Sequence, residues 1–199
     1  MRKAFLTLTL LICAFAAFAQ EEEPQQKEKP IFFEQPKPAW KERLRYGGNL
    51  WLGFFGAFYI DVSPMVGYEL GEKGTVAGLG ANLIYQGNFN QNGNLVYGPK
   101  LFVRQQVFRS IFIHAEYEMM NAYASQFYSF NPNTPVTDIK KKWEGSPLLG
   151  AGFYQGRGGN RGSFISLMYN LGYPNRGFIS PQGLGGNNSP IVVRFGFLL

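Results

Sequence analysis

IFIHAEYEMM, residues 111–120, alternates apolar and polar residues from Ile113 to Met119. Ile111, Ile113, Ala115, Tyr117 and Met119 fall on one parity, and His114, Glu116 and Glu118 on the other. An extended strand sends successive side chains to opposite faces, so one face here is apolar and the other carries an imidazole and two carboxylates. That polar row has three readings: a metal site, an acid/base pair, or the lining of an interior.

The same alternation continues on both sides. LVYGPKLFVRQQVF (95–108) sets Tyr97, Pro99, Leu101, Val103 and Val107 opposite Gly98, Lys100, Arg104 and Gln106. Further such runs are RLRYGGNLWLGF (43–54), FYIDVSPMVGYEL (58–70), TVAGLGANLIYQ (75–86), SPLLGAGFYQ (146–155), SFISLMYNLG (163–172) and PIVVRFGFLL (190–199). Together these predict about eight antiparallel strands. Most approach the ~9–11 residues that cross a bilayer at a tilt. The connections after the second, fourth and sixth strands are tight; those after the third, fifth and seventh are long, the fifth running over about 122–145. Short turns on one rim and long loops on the other are the habit of a membrane barrel, although the first loop, at 55–57, is short.

Alternation by itself fits a soluble sandwich with its apolar face inward, or a barrel with its apolar face toward lipid. Three features favour the barrel. Tyr46, Tyr68, Tyr85, Tyr97, Tyr117, Phe153 and Tyr169 band the apolar face near segment ends, as an interfacial girdle would. The opposite face is rich in glycine, which suits a narrow, crowded interior. The chain also finishes on a strand that puts Ile191, Val193, Phe195, Phe197 and Leu199 on one face.

The amino-terminal end predicts export. Residues 1–19 join Arg2 and Lys3 to an uncharged apolar run and an Ala17-Phe18-Ala19 small-x-small site, the pattern of a cleaved signal peptide. Cys13 would leave with it, removing thiol and disulfide chemistry from the mature chain. Loss of Arg2 and Lys3 lowers the formal charge from +6 to +4. For an exported protein a basic balance points to anionic lipid or cell-wall polymer, and no nucleic-acid motif accompanies it. Residues 20–42, QEEEPQQKEKPIFFEQPKPAWKE, have the composition of a disordered periplasmic tether. Within it Ile31, Phe32 and Phe33 read either as a docking motif for a periplasmic or cell-wall partner, or as an apolar cluster packed on the barrel rim.

The signal peptide, RYGGNLWLGFFGAF (45–58), SPMVGYEL (63–70), AGLGANLIY (77–85) and IVVRFGFLL (191–199) resemble the small outer-membrane β-barrel proteins of the Bacteroidota type. In plan the chain is similar to the eight-stranded barrels of the OmpA membrane domain and OmpX. The resemblance covers 43–199 and carries no catalytic signature. It implies an all-β transmembrane barrel in the outer membrane, in contact with its lipid, with lipopolysaccharide and with the barrel-assembly machinery. The chain departs from the pattern by finishing on Leu199, where such barrels often finish on an aromatic residue.

Within a barrel the polar row lies inside. Asp61, Glu69, Lys100, Arg104, His114, Glu116, Glu118 and Arg194 then form a lumen ion-pair network, since buried charges are normally paired. Arg104 stands across from His114 or Glu116, and Lys100 across from Glu118 or Met120, depending on register. Cations facing carboxylates disfavour a metal, so no metal, cofactor or catalytic group is expected. Met65, Phe102, Phe112 and Met120 add bulk to the same interior. IKKKWEG (139–145) puts Lys140, Lys141, Lys142 and Trp143 just ahead of the sixth strand, as a lipopolysaccharide contact or as a solvated loop. The expected role is structural or interactive, through loops and tether. A small-solute channel and a lipid-modifying enzyme are the alternatives.

Overall fold

The computed structural model describes residues 39–54, 58–71, 74–87, 93–133, 135, 140–155, 161–185 and 189–199. The expected signal peptide, nearly all of the expected tether, and Ile31, Phe32 and Phe33 lie outside these residues. After a short helical turn, Ala39–Glu42, eight strands follow: β1 (Leu44–Gly53), β2 (Phe58–Leu70), β3 (Thr75–Gly87), β4 (Asn94–Gln106), β5 (Ile111–Tyr123), β6 (Lys141–Gln155), β7 (Gly162–Asn170) and β8 (Ile191–Leu198). Each pairs antiparallel with its sequence neighbours, and β8 closes on β1. The fold is an all-β, eight-stranded antiparallel barrel.

The opening stretch supplies the middle of β5. From Ile111 to Met120 buried and exposed residues alternate strictly, with His114, Glu116, Glu118 and Met120 inside. The register fixes what the sequence left open: Arg104 faces His114 and Lys100 faces Glu118 across β4 and β5. At the tight β2–β3 connection Gly71 and Gly74 take φ +67° and +68°, a left-handed conformation that L side chains rarely adopt. Inside the wall, a Cβ on Gly152 would stand 2.3 Å from the Phe112 ring and 2.6 Å from the Ile165 carbonyl. Glycine there lets a ring lie flat against the strand.

β6 is longer than its alternation suggested. It begins at Lys141, so Lys141, Lys142 and Trp143 lie in the strand, opposite Tyr123, Ala122 and Asn121. The basic run hid this start, because lysines outside the apolar span give no hydrophobic contrast for a period to show in.

The seam between β1 and β8 is the shortest. It joins Gly47, Gly48 and Asn49 to Leu198, Phe197 and Gly196. Toward the loop rim, the edge of β8 is taken by the β7–β8 connection, where Gly183 bridges Val192. Val193 N–H donates to the Gln182 carbonyl, and Leu184 N–H to that of Ile191. Trp51 stacks on Phe195 at 5.1 Å, beyond the last ladder pair between β1 and β8.

Candidate functional site

Strand periodicity projects polar and apolar layers into the lumen in turn. At the turn rim Arg45 pairs with Glu69. Above that pair lies an aromatic floor of Phe102, Phe112, Tyr154 and Phe164, packed with Met65, Val76 and Leu198. Arg104 is fully buried in this layer. Its guanidinium carbon sits 4.1 Å from the Phe164 ring centroid and 4.4 Å from that of Phe112. Nη1 donates to the Tyr154 hydroxyl at 2.9 Å and Nε to His114 Nδ1 at 3.0 Å. The cation is thus desolvated by ring faces and neutral acceptors. Contrary to expectation, among the described residues it has no carboxylate within 4.0 Å, because the β4–β5 register sets it one pleat too close to the turns.

The next layer carries the charge. Lys100 Nζ lies 3.3 Å from Glu116 Oε1, and Arg194 Nη2 lies 2.6 Å from Glu118 Oε1 and 3.8 Å from Glu116 Oε1. Asn82 donates to Glu118 at 2.8 Å. His114 accepts from Arg104 at Nδ1, which leaves the proton on Nε2, 3.1 Å from Glu116 Oε2. That imidazole is a neutral link between the floor and the carboxylates. Among the described residues Lys100 Nζ, Arg194 Nε and both Glu116 oxygens lack an aligned hydrogen bond, as do Asn49 Nδ2 and Ser166 Oγ. Glu116 is therefore held by the charges around it.

The sequence grouped eight residues that the barrel separates. Lys100, Glu116, Glu118, Arg194 and His114 come together. Arg104 belongs to the floor, and Glu69 to the rim with Arg45, a partner the sequence reading missed. Among the described residues Asp61 has no cation within 4.0 Å; it accepts from Ser63 and, at 2.9 Å, from Gln182 Nε2. Gln182 was missed because it comes from the long β7–β8 connection, which has no periodicity to read. Among the described residues no group of three or more histidine, aspartate or glutamate side chains is placed to hold a metal.

Toward the loop rim the lumen turns apolar again. Tyr59, Ile84, Val96, Met120 and Ala122 pack with Phe127 and Phe178, which descend from the two longest connections and bridge each other. Glu144 fastens both loops: it accepts from Gly177 N–H at 2.7 Å and from the Ser129 hydroxyl. Ser146 accepts from Phe178 N–H at 2.7 Å. Lys142 points inward to this latch, 2.7 Å from Glu144 Oε2, whereas Lys141 and Trp143 face outward. Lys140 is exposed, and its carbonyl accepts from Ala124 N–H.

No family model, curated protein or solved structure matches the chain.

Proposed function

We propose that this chain is an integral outer-membrane barrel with a structural or interaction role, its lumen closed by its own side chains. The observation that carries the reading is inverted polarity. Leu79, Leu101 and Leu167 are 59%, 61% and 51% exposed, while Arg104, Lys100 and Glu116 are 0%, 1% and 4% exposed. In water that arrangement forgoes the burial of its largest apolar band and desolvates charge as well. In a bilayer the same band meets hydrocarbon, and a closed sheet leaves little backbone unpaired. Tyr46 and Phe153 mark the band toward the turn rim, and Tyr85, Tyr97, Trp143 and Tyr169 toward the loop rim, where amphipathic rings favour the interface. In this reading the turns and the amino terminus face the periplasm, and the long loops face outward.

Stacked apolar and ion-paired layers argue against a small-solute channel, since an eight-stranded interior is just wide enough for side chains to fill. A lipid-modifying activity has no evident machinery: His114 is committed to Arg104 and Glu116, and Ser110 lies at the turn rim. Fractionation after export tests the location. The protein should pellet with envelope membranes and need detergent for release; a detergent-free soluble form refutes the reading. Planar bilayers test the closed lumen, and steady ohmic conductance from the purified protein would favour the channel.

A further inference from the structure

The outside of β5 and β6 at the loop rim carries a feature that the closed barrel does not need. Strand alternation turns Lys141 and Trp143 outward and Lys142 inward. Lys141 Nζ crosses over the Tyr123 ring at 5.3 Å and donates to the Leu95 carbonyl at 2.8 Å. Arg176 starts in the β7–β8 connection and bends back over the same wall. Its Nε donates to the Gly145 carbonyl at 3.2 Å and its Nη2 to the Tyr117 hydroxyl at 3.1 Å. Two exposed cations are thus laid against the apolar face by neutral acceptors. Among the described residues each has further N–H donors without an acceptor. Among the described residues neither lies within 4.0 Å of a carboxylate.

Trp143 lies between them, half-exposed, with its ring edge-on to Tyr97 at 5.7 Å. Residues 54–57 and 87–93, which join β1 to β2 and β3 to β4 in sequence, contain no charged residue. A solvated cation normally extends into water; these two lie along an aromatic belt, at the height where an interfacial ring meets lipid headgroups.

We infer that this patch binds a phosphorylated lipid headgroup, with Lys141 and Arg176 each taking a phosphate and Trp143 covering the headgroup between them. Along β6 the backbone at Lys141 and at Gly145, where Arg176 rests, is about 13 Å apart. A headgroup phosphorylated at both ends of a saccharide spans such a gap better than a single phosphate does. The inference rests on the membrane reading, and it replaces the sequence assignment of all three lysines by one lysine and an arginine 35 residues downstream.

The test uses the full chain in phosphatidylcholine nanodiscs doped with bisphosphorylated lipid A, or with its monophosphoryl form. Co-purified lipid is counted by native mass spectrometry. The wild type should retain the bisphosphorylated lipid at least tenfold better than phosphatidylcholine, and better than the monophosphoryl form. Lys141→Gln with Arg176→Gln should abolish that preference, while the inward Lys142→Gln keeps it. Millimolar inorganic phosphate should not displace the lipid; displacement would mark a free-anion site and overturn the inference. Undiminished retention by the folded double variant overturns it too and leaves the membrane reading intact. Failure of the wild type to enter nanodiscs removes both.

Discussion

Replacing Glu116 by glutamine removes one charge from the middle of the barrel and changes almost no volume. The carboxylate lies 3.3 Å from Lys100, 3.1 Å from His114 Nε2 and 3.8 Å from Arg194. At an effective dielectric near 20, a unit pair at the Lys100 distance is worth about 5 kcal/mol before desolvation. Arg194 keeps Glu118 in the variant, but among the described residues Lys100 keeps no carboxylate within 4.0 Å. A buried charge stranded in this way typically costs about 3–5 kcal/mol. Glu116→Gln and Lys100→Met should each destabilise the folded barrel by roughly that much. The double variant restores neutrality and should lose about 3 kcal/mol less than the sum of the two. Reversible urea unfolding in detergent micelles, followed by Trp fluorescence, measures all three. A double-variant loss equal to the sum, or a Glu116→Gln loss below about 1 kcal/mol, would refute the charge-held description of Glu116.

Leu101→Arg places a charge on the outward face of β4 and should destabilise the bilayer-inserted protein by about 2–4 kcal/mol, read from unfolding in lipid vesicles; a neutral result argues for a water-facing wall. Gly152→Val drives a side chain into the Phe112 ring and should cost about 1–3 kcal/mol in the same urea titration, whereas Gly71→Asn, at a left-handed turn position with open space around it, should cost far less. Glu144→Ala releases the latch on both long loops, so protease should cut residues 124–140 or 171–190 several-fold faster while the strands stay protected; unchanged cutting would show that Phe127 and Phe178 hold the two loops without it.

Sequence alone determined the number of strands, the face that side chains take within the alternating runs, and the polarity of inside and outside. Those follow from a two-residue period, which is local: His114, Glu116 and Glu118 share a side whatever pairs with β5. It also placed the tight turns, because a break in alternation, glycine-rich at 71–74 and at 156–162, is local as well. Which charges meet depends on register and on the curvature of the closed wall, and neither is local. Hence Arg104, grouped by parity with the carboxylates, ends against Phe112 and Phe164, and Arg194, some 76 residues from Glu118, becomes its closest cation. Only the tertiary structure decided that Gln182 reaches Asp61, that Arg176 doubles back over β6, and that Lys142 and Lys141 part to opposite faces of the wall. Loops carry no repeating contrast, so their contacts are set by the closed wall onto which they fold.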